Sequence, residues 1–121
     1  MITVQNIKKR FSLEAAFFAK ENQFVYAVND VSFCINDGET YGLVGESGCG
    51  KSTTAKLIVK MYNTDQGKII FTPIDSNNQI NIQNLKGRPL KEYREKIKYI
   101  FQDPAKSLNP RMTVFQILTS G

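Results

Sequence analysis

Residues 45–53 read Gly45-Glu46-Ser47-Gly48-Cys49-Gly50-Lys51-Ser52-Thr53 and satisfy the pattern G-x-x-x-x-G-K-[ST] at every fixed position. Glycines free the backbone for conformations closed to other residues, so successive N–H groups from Glu46 to Ser52 can converge on one anion. The apolar segment Tyr41 to Val44 enters the loop and helical spacing begins at Lys51, which gives the strand–loop–helix order that a phosphate-binding loop requires. The helix N-terminus adds its positive end to the amides. In such a loop Lys51 reaches the β- and γ-phosphates of a nucleotide, Ser52 offers its hydroxyl to Mg²⁺ and Thr53 contacts the α-phosphate. Cys49 is expected to face away as a small packing residue, with a thiol in partly positive surroundings.

Outward from the loop, Lys51 to Tyr62 carries Ala55, Leu57, Ile58, Met61 and Tyr62 as an apolar side and Lys56 and Lys60 as a polar one, with Asn63 as its stop. Upstream, Ile2 to Ile7 alternates as a short strand that the basic triplet Lys8-Lys9-Arg10 ends. On that alternation Ile2 and Val4 share one face and Ile7 takes the other. Val25 to Ile35 and Glu39 to Val44 are expected to pair as a hairpin about the turn Asn36-Asp37-Gly38. Downstream, Asp65-Gln66-Gly67 turns the chain into a strand over Lys68 to Thr72. Asp75 to Lys86 reads as a polar insertion. Arg88 to Lys96 reads as a helix with Pro89 in its first turn, Ile97 to Phe101 as a compact apolar strand, and Val114 to Leu118 as the start of a further element.

The 121 residues, 41% hydrophobic and 22% charged, suit one soluble domain. The chain holds no histidine, which excludes any chemistry that needs an imidazole as base, nucleophile or zinc ligand. Two cysteines, Cys34 and Cys49, are too few for a structural zinc cluster and read as reduced cytosolic thiols. No stretch approaches the roughly 20 apolar residues of a membrane-spanning helix. The net charge of +5 concentrates between Lys86 and Lys98, where six bases face two acids. That segment is a solvated helix face or a contact surface, and it lacks the aromatic platform of a nucleic-acid binder.

Forty-four residues precede Gly45, and no Asn-Lys-x-Asp guanine motif occurs. Val31-Ser32-Phe33, Asn36-Asp37-Gly38-Glu39, the run Gly42-Leu43-Val44 into the phosphate loop, and Ile100-Phe101-Gln102-Asp103-Pro104 together resemble the nucleotide-binding subunits of ABC transporters. Gln102-Asp103-Pro104 followed by Ser107-Leu108-Asn109-Pro110-Arg111-Met112-Thr113-Val114 is similar to the oligopeptide and dipeptide importer ATPases, a group that includes nickel importers. The resemblance implies an α/β fold, an incomplete P-loop NTPase core with an N-terminal antiparallel β subdomain. It implies ATP and Mg²⁺ as ligands, with Gln102 meeting the metal beside Ser52. It also implies an aromatic residue stacked on adenine, for which Phe11 is the first candidate and Phe17, Phe18, Phe24 and Tyr26 are rivals.

The implied partners are transmembrane permease subunits, a second ATP-binding subunit and, indirectly, an extracellular or periplasmic solute-binding protein, with no nucleic acid. The implied location is peripheral, on the cytoplasmic face of the membrane. The family's Leu-Ser-Gly-Gly-Gln signature, its acidic strand end with a catalytic glutamate and its switch histidine are not found in residues 1–121. The expectation is therefore the N-terminal part of a nucleotide-binding domain that binds ATP and contributes no catalytic residue of its own. A stand-alone nucleotide-binding module, a nonfunctional remnant and another P-loop enzyme such as a kinase stay open.

Overall fold

The computed structural model describes residues 1–12, 24–74, 76, 78–102, 109 and 111–119. Strand β1 (Ile2–Ser12) lies between β2 (Phe24–Ile35) and β3 (Gln66–Phe71), and β4 (Ile80–Asn81) extends the sheet in the order β2-β1-β3-β4, antiparallel throughout. The expected antiparallel β portion is present, but β1 does not stop at its basic triplet. Lys8, Lys9 and Arg10 pair with Gln66, Val28 and Tyr26. Their charges are accommodated because Lys9 donates to Asp65 Oδ1 at 3.0 Å and the Arg10 guanidinium lies 4.6 Å from the Phe24 ring centroid.

Simple alternation along β1 also fails. Val4 and Ile7 are both buried, because Asn6 takes a left-handed φ of 46° and the register shifts between them. One bulged residue moves the following side chains to the opposite face, so Ile7 joins Val4 in the core. A matching irregularity at Asp30 (φ 56°) stands across from it, tied by Asn6 Nδ2 to Asp30 Oδ1 at 3.1 Å.

Helix α1 (Lys51–Ile58) covers this face with Thr54, Leu57 and Ile58. It ends before the expected Asn63 because Lys60 turns left-handed (φ 58°) and folds its ammonium inward onto Asn63 Oδ1 (2.5 Å) and the Gln83 carbonyl (2.8 Å). Met61 and Tyr62, expected on the helix's apolar side, are exposed. Burial, then the charges of Lys86 and Arg94, pull the Lys60 ammonium below the usual lysine range. The segment taken for a polar insertion supplies β4 and a 3₁₀ turn, Ile82–Asn84, whose Ile82 is fully buried.

Helix α2 (Gly87–Lys96) closes the core with Tyr93, whose hydroxyl donates to the Ile58 carbonyl at 2.6 Å and whose ring meets Phe71 edge-on. Arg94 donates to the Lys60 carbonyl at 2.7 Å, so α2 satisfies carbonyls at and just beyond the end of α1. The other charged side chains of the Lys86–Lys98 segment are exposed, with Arg88 and Glu92 paired at 3.0 Å. Val114–Thr119 forms α3, which Thr113 and Gln116 start with reciprocal side-chain-to-backbone bonds of 3.3 and 2.9 Å.

Two expected strands do not form. Residues 39–46 and 97–101 carry no strand pairing, and the hairpin about Gly38 is replaced by pairing of β2 with β1. A parallel strand takes its hydrogen bonds from strands distant in sequence, and among the described residues these two segments have none. Val44 is 96% exposed and Ile100 89%. Asn36 instead closes a local turn, its backbone N–H and side-chain amide both donating to Glu39 Oε2, and Phe33 stacks on Tyr41 at 5.0 Å.

Candidate functional site

The loop from Gly45 to Gly50 ends in a close approach to the sheet. Gly50, the residue that starts α1, has φ 95°. A Cβ added there would stand 2.1 Å from the Ala27 carbonyl oxygen and 3.6 Å from a Val28 methyl. Only glycine combines that backbone angle with that contact. Thr54 then bonds back to the Gly50 carbonyl through both its N–H (2.8 Å) and its hydroxyl (3.0 Å), which fixes the helix start.

No side chain caps the α1 N-terminus and no acidic residue stands in its first turn. The first amides and the positive end of the helix dipole are thus left to an external anion. Ser47, Gly48, Gly50, Lys51, Ser52 and Thr53 line a cavity of about 390 Å³, and Gln102, 49 positions beyond Thr53, lines it too. The fold therefore brings together the phosphate loop and the glutamine read from the sequence.

Lys51 is folded back on its own loop. Its ammonium donates to the carbonyls of Gly45 (2.7 Å) and Glu46 (2.6 Å), with Cys49 Sγ at 3.5 Å. Among the described residues it has no carboxylate partner, since the ion pairs found there join Met1 to Asp37, Lys9 to Asp65 and Arg88 to Glu92. A cation tethered only by neutral acceptors beside bare helix amides is suited to polyanionic phosphate. The expectation that Cys49 faces away holds in part. It does not line the cavity and is exposed, yet its sulfur touches Lys51.

Ser52 and Gln102 offer oxygen ligands, and among the described residues no group of three His, Cys, Asp or Glu side chains forms a cage for a metal. That donor set fits Mg²⁺ carried by nucleotide phosphates, which keeps oxygen ligands from phosphate and water.

Phe11 does not line the phosphate cavity. Ile7, Lys9 and Phe11 alternate onto the α1 face of the sheet, where Ile7 is buried and the Phe11 ring meets Tyr62 edge-on at 5.4 Å. Phe11 pairs with Val25, on the same strand as the Ala27 carbonyl that Gly50 approaches. Tyr26 instead lines a separate cavity of about 330 Å³ with Lys8, Arg10, Asn29, Asp65 and Gln66. Phe24 lies under Arg10 beside it. Of the described aromatic candidates, Phe11 alone thus shares the face of the phosphate loop. Phe17 and Phe18 lie outside the described residues, as do Asp103, Pro104, Ser107, Leu108 and Pro110. Sequence reasoning missed Tyr62 and Lys9 beside Phe11, because neither stands in a motif and Tyr62 comes from the connection that follows α1.

Residues 28–118 match the family of ABC transporters. The oligopeptide transport ATP-binding protein OppF of Bacillus subtilis is 50% identical over 98 residues, covering 80% of this chain and 30% of the relative. OppF of Streptococcus mutans is 43% identical over 121 residues, covering 100% and 35%. The solved dimeric structure of MJ0796, a bacterial ABC transporter cassette, superposes with a TM-score of 0.71 at 28% identity, covering 93% of this chain and 43% of that one. The chain spans about a third of the length of the curated relatives it matches.

Proposed function

The chain belongs to the ABC transporter family, and from that membership we propose that it binds MgATP as the N-terminal part of a nucleotide-binding domain that energises peptide import. The observation that carries the reading is the shared cavity of the uncapped α1 N-terminus, Lys51 and Gln102. Lys51 leaves the Gly45 and Glu46 carbonyls for the β- and γ-phosphates, the loop amides bind the phosphate oxygens, and Phe11 receives the adenine. Ser52 and Gln102 hold Mg²⁺, which neutralises phosphate charge. Among the described residues the cavity lining holds neither carboxylate nor imidazole to orient a water, which supports the reading that residues 1–121 bind nucleotide without turnover. Hydrolysis draws on a second ATP-binding subunit, and transmembrane permease subunits receive the motion from this chain at the cytoplasmic face of the membrane. The relatives' names point to peptides as the cargo.

Calorimetric titration with MgATP tests the reading. Lys51→Ala removes a charge-assisted contact of about 1.5–3 kcal/mol, an affinity loss of at least tenfold. An unchanged affinity contradicts it.

A further inference from the structure

Phe11 is a ring on a strand end with 37% of its surface exposed, and such a ring is free to swing unless its neighbours hold it. Two neighbours do. Tyr62, four residues beyond the end of α1, sets its ring against Phe11 at 5.4 Å with the planes 75° apart, the edge-to-face geometry that aromatic pairs favour. The Lys9 ammonium stands over the Phe11 ring, 5.4 Å from its centroid. Lys9 is itself fixed, because its ammonium donates to Asp65 Oδ1 while Asp65 Oδ2 accepts the Arg10 N–H at 2.7 Å and the Asp65 N–H donates to the Lys8 carbonyl at 2.8 Å. Tyr62 is steadied in turn by Lys56, whose ammonium lies 5.9 Å from its ring centroid.

Among the described residues, Phe11 is thus held by a cation over its ring and by a second ring set at a steep angle to it. Tyr62 and Asp65 both belong to the short connection between α1 and β3. The helix whose N-terminus lines the phosphate cavity therefore continues into the segment that packs against the ring.

We propose that Tyr62 and the Asp65-anchored Lys9 are positioning residues that fix Phe11 as the platform for the nucleobase. Base recognition then depends on the α1–β3 connection, while phosphate recognition depends on the loop before α1. The inference rests on the reading of Phe11 as the base-stacking residue.

The test compares MgATP with magnesium tripolyphosphate, which carries the phosphates without the base, by calorimetry on the 121-residue chain. Tyr62→Ala weakens MgATP about three- to tenfold and leaves tripolyphosphate unchanged. Tyr62→Phe, which keeps the ring, restores the wild-type affinity. Tyr62→Leu, which keeps apolar bulk without the ring, repeats the selective loss and guards against a folding defect in the alanine variant. Lys9→Met removes the ammonium and gives a selective loss in the same direction. Equal weakening of both ligands, or no change in MgATP, overturns the inference. Should Phe11→Ala leave MgATP unaffected while Lys51→Ala weakens both ligands, the phosphate site stands and this inference falls. If Lys51→Ala affects neither ligand, the proposed nucleotide site falls with it.

Discussion

Replacing Gly50 with alanine separates two effects that the phosphate loop combines. Gly48 and Gly50 both have left-handed backbones, with φ 83° and 95°. A Cβ at Gly48 meets nothing within 4 Å, whereas at Gly50 it meets the Ala27 carbonyl oxygen at 2.1 Å. A left-handed alanine costs about 1–2 kcal/mol, and the smaller entropy of the unfolded alanine chain returns about 0.4–1 kcal/mol. Gly48→Ala should therefore destabilise by about 1 kcal/mol. Gly50→Ala carries the same contribution plus the overlap with β2, which forces loop and strand apart by about 1 Å in a packed region and adds about 1–3 kcal/mol. A domain's total stability is about 5–15 kcal/mol, so the larger loss is readily measured. Urea unfolding of the two variants with a common m-value gives the comparison. If Gly50→Ala is no more destabilising than Gly48→Ala, the loop does not depend on its approach to Ala27, and the account of how the loop is held is wrong.

Tyr93→Phe removes the buried bond to the Ile58 carbonyl and leaves that acceptor unpaired, which should lower stability by about 1–3 kcal/mol in urea unfolding; a loss below about 0.5 kcal/mol speaks against it. Burial opposes ionisation of Asp65, yet the Arg10 N–H, the Lys9 hydrogen bond and the charges of Lys9 and Arg10 together outweigh it and hold the carboxyl below the usual range. A depressed folded pKa adds stability that is present above the unfolded value of about 3.9 and fades as pH falls through the folded one. The stability gap between wild type and Asp65→Asn should accordingly be largest near pH 7 and narrow near pH 3, and a constant gap contradicts this. Gln102→Ala should leave metal-free ATP affinity unchanged and reduce the gain on adding Mg²⁺; an unaltered gain removes Gln102 from the metal site.

The phosphate loop was legible because its information is local: glycine spacing, Lys51 and the following apolar positions specify a bare helix N-terminus. Helix α2 was legible for the same kind of reason, with Pro89 in its first turn. What escaped depends on contacts distant in sequence. The basic triplet stays in β1 because Asp65 and Phe24 accommodate its charges, and Ile7 reaches the core because Asn6 bulges. Tyr41 to Val44 and Ile97 to Phe101 have the apolar composition of strands, but composition cannot supply the neighbours that parallel pairing needs. Ile82 sits in a polar stretch that gives no periodic sign of its burial. Phe11 stood among five aromatic candidates, and composition gave no sign that it would lie on the α1 face beside Tyr62.

The central claim is that the amides of the loop and the N-terminus of α1 receive the phosphates. Amide chemical shifts followed during titration with MgATP test it residue by residue. The largest changes should fall on residues 46–53, with Gln102 also affected and the β3–β4 edge silent. Saturable binding that leaves residues 46–53 unmoved, or no saturable binding at all, contradicts it.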